Sequence, residues 1–190
     1  MADVFMVLGG SSSRKSAYAE ELTRVLAARH SWPVYYLATG TIWDEEFARR
    51  VERHRQRRPS NWQTIEEAYD LAGVLCSRQD HSAVYLVDGI GTWLTNLMFE
   101  TGEADFYWDG EREKQCQARL QEFIEAGAQI PGAIILVADE AGTDIMPENQ
   151  QARVFQDLNG RVNQVLAQAA VYLYWVVAGI PLCLKGGAGC

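Results

Sequence analysis

No apolar run in this chain approaches the ~20 residues that a membrane-spanning helix needs. Its N-terminus, Met-Ala-Asp followed by a short apolar stretch, has neither a basic segment nor a cleavage site, so no secretory leader is expected. Cysteine is sparse. Cys76, Cys116, Cys183 and Cys190 form no CxxC pair and stand at no zinc-ligand spacing with a histidine; reduced thiols in a cytoplasmic protein are the expectation. Positive charge is in deficit, with 17 Lys+Arg against 25 Asp+Glu and a formal net charge of -8. A chain built to neutralise nucleic-acid phosphates would show the opposite balance, so nucleic acid is not an expected partner.

What remains is ordinary globular protein. Hydrophobic residues make up 48% and charged residues 22% of the 190 positions, which argues against disorder and suits one domain. No linker or internal repeat divides it. Residues 1–185 are expected to form that domain, and the Gly-rich 186–190 tail has too little side chain to pack.

Short β-rich runs alternate with longer amphipathic stretches. Val4–Leu8, Val34–Ala38, Ala83–Val87, Ala133–Val137 and Val171–Val177 are apolar with little alternation, as in strands buried on both faces. Lys15–Arg29, Trp43–Gln56, Thr64–Ser77, Glu111–Ala126 and Gln150–Ala170 read as helices. This pattern predicts an α/β fold: a mostly parallel sheet with helices on both faces. A last strand, Pro181–Leu184, follows the turn at Gly179 as an antiparallel partner. Thr101–Gly110 reads as a surface loop.

Directly after the first strand stand Gly9, Gly10, Ser11, Ser12, Ser13, Arg14, Lys15 and Ser16. In this context backbone N–H groups and a helix N-terminus surround phosphate oxygens, the lysine adds charge, and the serine hydroxyl reaches Mg2+. Gly9, Lys15 and Ser16 have the required spacing, but Arg14 occupies the position of the glycine before the lysine. The alternative is a serine-rich turn in which Ser12 or Ser13 caps the helix.

The segment Arg49–Arg58 places six arginines around His54. Such a field attracts a polyphosphate and disfavours the imidazolium, keeping His54 neutral and nucleophilic. A solvated helix face, its arginines paired with nearby acids, is the other reading. The apolar strand ending in Asp88 suits a P-loop metal acid, or else Asp88 caps the helix beginning near Gly91. A second strand ends in Asp139-Glu140, and its loop through Asn149 is expected at the ligand crevice. His30 and His81 sit in polar connections with no evident role.

Taken in order, these segments resemble the bifunctional adenosylcobinamide kinase/adenosylcobinamide-phosphate guanylyltransferase family over nearly the whole chain. The matching pieces are Gly9-Gly10 through Lys15-Ser16; Tyr36-Leu37-Ala38-Thr39; Asp44-Glu45-Glu46 leading to Arg53-His54-Arg55 and Arg58-Pro59; Trp62 through Glu66; Val87-Asp88 with Trp93 through Leu97; Glu140 with Ile145 through Asn149; and Phe155 through Leu158 running into Gly160 through Gln164. The resemblance implies a P-loop NTPase-like (RecA-like) fold and a two-step chemistry. GTP or ATP phosphorylates adenosylcobinamide, and GTP then transfers GMP to a histidine and on to adenosylcobinamide phosphate, giving adenosylcobinamide-GDP. By position His54 matches the nucleophile and Lys15 the catalytic lysine of the phosphate loop. Ala38, Thr39, Gly40, Arg55, Gln56, Arg57, Arg58, Glu66 and Asp88 match nucleotide-contacting positions, with Ser16 and Asp88 as the Mg2+ pair. The resemblance also suggests a homo-oligomer, a trimer. Three features depart from the family pattern: Arg14, Asp139 where Asn is usual, and Thr143-Asp144 in place of Met-Gly. The alternative is a catalytically weakened or non-catalytic nucleotide- or corrinoid-binding protein of the same fold, for which Arg14 and Asp144 speak.

Overall fold

The computed structural model describes residues 2–41, 45, 49, 51, 52, 55, 56, 58–79, 81–100, 106–142 and 147–186. The described strands are β1 (Asp3–Gly9), β2 (Val34–Ala38), β3 (Gln63–Glu66), β4 (Ala83–Asp88), β5 (Gly132–Asp139), β6 (Tyr172–Val177) and β7 (Ile180–Lys185). The described helices are α1 (Lys15–His30), α2 (Leu71–Cys76), α3 (Ile90–Met98), α4 (Gly110–Gln129) and α5 (Gln150–Ala169). Glu45, Arg49, Val51, Glu52, Arg55 and Gln56 are also helical, within the helix expected over 43–56.

The strands form one sheet in the order β3-β2-β4-β5-β1-β6-β7. Neighbours are parallel except the terminal β6–β7 pair. Successive side chains along a strand point to opposite faces, and here both faces are covered. Phe5 and Val7 pack in the layer under α1 with Ala19, Val84, Leu86 and Ile135. Met6 faces the other layer, with Leu71, Tyr85, Trp93, Phe123, Leu136 and Val162 from the strands and the other four helices. That two-sided burial is why the strands read as unbroken apolar runs.

Two expectations and one alternative reading need correction. The helix expected over Thr64–Ser77 divides into β3 and α2. Residues 63–66 pair parallel with β2, Tyr35 opposite Gln63 and Ala38 opposite Glu66. The Glu67 carboxylate then accepts the Tyr69 and Asp70 N–H groups at 2.8 and 2.9 Å, building a turn. The helix starts only after Asp70 accepts from the Gly73 N–H at 2.8 Å, an N-cap geometry. Secondly, α3 is capped by Gly89 without a side-chain cap bond, so Asp88 does not serve as its cap. Thirdly, Cys76 and Cys116 are free thiols, whereas Cys183 is disulfide-bonded; four reduced cysteines are not found.

The β6–β7 connection is a tight hairpin. Ala178 and Gly179 lie at φ 51° and 82°, the left-handed pair that a two-residue turn between twisted strands demands. No helix among the described residues is long and apolar enough to cross a membrane.

Candidate functional site

Parallel strands end their carboxyl edges together, and loops leaving that edge enclose a cleft of about 720 Å³. Lys15 and Ser16 from the start of α1, Ala38 and Gly40 after β2, Asp88 at the end of β4 and Asp139 at the end of β5 line it. Arg55, Arg58 and Glu66 form part of its wall as well.

The turn from β1 to α1 is built by close approach. A Cβ on Gly9 would stand 2.5 Å from Ser13 Oγ and 2.8 Å from the Val176 carbonyl oxygen, so only glycine fits there. Arg14 is the N-cap residue of α1, at φ 70° and ψ 20°, with no side-chain cap bond. Neither Ser12 nor Ser13 caps the helix, which removes the serine-turn alternative. The glycine usual at the Arg14 position would adopt this left-handed backbone without cost; a side chain costs about 1–2 kcal/mol. The stem of Arg14 lies against the hairpin turn, its Cδ 3.2 Å from where a Cβ on Gly179 would be. The Gly179 N–H donates to the Ser13 carbonyl at 3.0 Å. Lys15 is buried; its Nζ donates to the Gly10 carbonyl at 3.2 Å and pairs with Asp139 Oδ1 at 2.7 Å.

At the end of β4, Asp88 has both oxygens engaged. The Ser16 hydroxyl donates to Oδ1 at 3.2 Å and the Tyr36 hydroxyl to Oδ2 at 2.5 Å. Burial drives the Tyr36 phenol far above the ordinary tyrosine range, the Asp88 charge pushes it further, and Arg58 opposes both. The Arg58 guanidinium lies over the Tyr36 ring, 3.6 Å from its centroid, a cation–π contact. Arg58 Nε is buried and has no hydrogen-bond partner among the described residues. Arg55 pairs with Glu66 at the end of β3.

Ser16 and Asp88 offer a hydroxyl and a carboxylate oxygen side by side at the phosphate loop. Oxygen donors of this kind suit Mg2+, which uses one or two carboxylates and takes its other ligands from phosphates and water.

Asn96, on α3 and fully buried, fixes the loop after β2. Its amide donates to the Thr39 and Ala68 carbonyls at 2.7 and 3.0 Å and accepts from the Thr41 hydroxyl at 2.8 Å. Thr39 exchanges hydrogen bonds with Gly89, accepting from its N–H at 2.9 Å and donating to its carbonyl at 2.8 Å. Thr39 thus supports the cleft from beneath while Ala38 and Gly40 line it.

Of the residues singled out in the sequence, Lys15, Ser16, Ala38, Gly40, Arg55, Arg58, Glu66 and Asp88 line this cleft. Gln56 does not: it is exposed and donates to Glu52 at 3.0 Å. Ser11 and Ser12 are exposed on the loop. His54, Arg57 and Thr143-Asp144 lie outside the described residues. Glu140 accepts the Gly142 N–H at 2.8 Å and so closes its own turn. His30 stacks on Trp32, and His81 meets the Tyr35 hydroxyl at 3.1 Å, both away from the cleft lining. Thr41, Glu67 and Thr92 line the cleft and had not been singled out, and Tyr36, which entered only with the family resemblance and without a role, lines it too. Tyr36 sits inside an apolar strand, where nothing local distinguishes a working phenol from a core ring.

Comparison with known proteins shows the family. The model of the family described as cobinamide kinase / cobinamide phosphate guanyltransferase matches residues 5–184. The bifunctional adenosylcobalamin biosynthesis protein CobU of Escherichia coli (strain K12) is 38% identical over 96% of this chain and 99% of its own. The bifunctional adenosylcobalamin biosynthesis protein CobP of Pseudomonas aeruginosa is 37% identical over 95% and 96%. Among solved structures, the ATPase domain of G40P superposes with a TM-score of 0.53 at 10% identity, covering 91% of this chain and 68% of that one. At such identity the likeness concerns the fold alone. A near full-length family match, with relatives at 37–38% identity over nearly the whole chain, places the chain in the cobinamide kinase / cobinamide phosphate guanyltransferase family.

Proposed function

We propose that the cleft carries both reactions of this family in cobalamin biosynthesis. In the first, the γ-phosphoryl group of GTP or ATP passes to the hydroxyl of adenosylcobinamide. In the second, GTP gives its guanylyl group to adenosylcobinamide phosphate through His54. The observation that carries this reading is Lys15 and the Ser16–Asp88 pair facing Arg55 and Arg58 across one cleft.

The roles follow from charge and position. Residues 9–16 seat the phosphates, with Lys15 adding its charge. Ser16 and Asp88 would hold Mg2+, which neutralises charge on the phosphate oxygens when bound. Arg58, held over the Tyr36 ring, would offer its guanidinium to an anion, a task that suits Arg better than Lys. The neutral His54 imidazole would attack the α-phosphorus, forming a P–N bond as the bond to pyrophosphate breaks. A phosphate oxygen of adenosylcobinamide phosphate then attacks the same phosphorus and frees the histidine. Positioning and electrostatic stabilisation supply most of such an acceleration.

The test is incubation with GTP labelled in the α-phosphate. An acid-labile, alkali-stable adduct is expected, lost in His54→Ala; the absence of any adduct at millimolar GTP would leave a nucleotide-binding protein without the transferase step.

We further infer a cytoplasmic homo-oligomer, a trimer. Strand β7 ends the sheet with Ile180, Leu182 and Leu184 exposed at 63, 47 and 58%. An open edge carrying apolar side chains is a surface that association covers. Sedimentation equilibrium reads the mass directly, and a monomer at micromolar concentration would refute this.

A further inference from the structure

We propose that Asp139 is an internal competitor for the phosphate-binding lysine: its carboxylate holds Lys15 at the position from which a triphosphate must take it. Asp139 thereby sets nucleotide affinity without touching the nucleotide. The inference rests on residues 9–16 being the phosphate loop.

The four carboxylates lining the cleft have separate tasks. Asp88 serves Ser16 and Tyr36, Glu66 serves Arg55, and Glu67 closes the 67–70 turn. Asp139 alone of the four meets Lys15, Oδ1 to Nζ, at 2.7 Å. A lysine has one charge, and a pair at this distance largely cancels it toward a third partner. Phosphate oxygens and the Asp139 carboxylate are both anionic acceptors, so they compete for one ammonium group.

The competitor is firmly mounted. Residue 139 stands opposite Gly9 in the β1–β5 register, and the next N–H, of Glu140, donates to the Gly9 carbonyl at 3.0 Å. Two buried amides on successive turns of α5, Asn159 and Asn163, donate to the Asp139 carbonyl at 2.7 and 2.9 Å. Backbone retreat is therefore blocked, and the pair opens by side-chain movement. The other oxygen already has a seat: a Cβ on Gly91 would fall 2.3 Å from Asp139 Oδ2. This seat is the first turn of α3, where a helix favours negative charge. A carboxylate giving up Lys15 stays beside that turn.

The expected size follows from population. A competitor holding the lysine nine-tenths of the time weakens apparent affinity about tenfold. The test is titration calorimetry with α,β-methylene-GTP, whose α–β bridge cannot be cleaved, and no corrinoid present. Asp139→Asn and Asp139→Ala should each bind it about tenfold more tightly than the native protein. A merely structural role would weaken binding instead. In the Lys15→Gln background the same substitution should change affinity less than twofold.

Unchanged or weaker binding in Asp139→Asn overturns the proposal. So does tightening that persists in Lys15→Gln, since that would be general charge repulsion. If Lys15→Gln by itself leaves binding intact, the phosphate-loop reading falls, and this inference falls with it. If Lys15→Gln weakens binding but Asp139→Asn does not tighten it, this inference fails alone.

Discussion

Tyr36 and Asp88 stand on adjacent parallel strands, and the phenol donates to one carboxylate oxygen at 2.5 Å while Ser16 takes the other. The aspartate is held in one orientation with a single oxygen turned toward the phosphate loop. Tyr36→Phe keeps the ring under Arg58 and removes only the hydroxyl. The carboxylate oxygen left without its partner should cost about 1–3 kcal/mol in stability. Urea unfolding reads that loss, and a several-fold higher Mg2+ requirement in the kinase assay reads the loosened aspartate.

The same residue fixes a pH dependence. Tyr36 is held well above its ordinary value by burial and by Asp88, while an unfolded tyrosine ionises near pH ~10. A raised folded pKa gives stability that is complete below the unfolded value and declines as pH rises past it. The gap in unfolding free energy between native protein and Tyr36→Phe should be constant from pH 7 to 9 and narrow above pH 10. Tyr18 and Tyr85, pushed up to about 12 by burial, add to the alkaline decline in both proteins and cancel in the difference.

Arg14→Gly removes the side chain from a left-handed backbone and should stabilise the protein by about 1 kcal/mol. For a chain of this size that is a rise of roughly 2–4 °C in Tm. Tighter nucleotide binding should accompany it. A fall in both quantities would show that the Arg14 side chain works as a ligand.

Asn96→Ala strips the buried Thr39 carbonyl, the half-buried Ala68 carbonyl and the Thr41 hydroxyl of their partner. Unfolding should become easier by about 2–4 kcal/mol. Because Asn96 anchors the loop that carries Ala38 and Gly40, KM for nucleotide should rise more than kcat falls.

Gly9→Ala places a methyl group against Ser13 Oγ and the Val176 carbonyl. The backbone oxygen cannot yield, so the phosphate loop must shift. Loss of nucleotide binding with secondary structure retained is the expected outcome, read by calorimetry and circular dichroism.

The parallel sheet was legible because its signals are local. Strands covered on both faces are unbroken apolar runs, and the spacing from Gly9 to Ser16 lies within eight residues. Strand β3 was not legible. Its four residues are mostly exposed, and only pairing with β2 makes them extended. The cleft divides in the same way. Lys15, Ser16 and Asp88 stand where a motif puts them, and Arg58 in a charge run. Tyr36 and Asn96 gain their roles from strands and helices brought together over long separations, Tyr36 to Asp88 across 52 positions and Asn96 to Thr39 across 57. No spacing rule marks such partners.

The hairpin between the last two strands touches the phosphate loop twice, through the Gly179 amide on Ser13 and through the Arg14 stem packed on that glycine. The outer margin of the sheet and the anion-holding turn therefore form one mechanical unit. Trimming the chain before Gly179, or prying β7 from β6, would release Arg14 from its splint. The terminal strand, though distant from the chemistry in sequence, acts as the brace of its first turn.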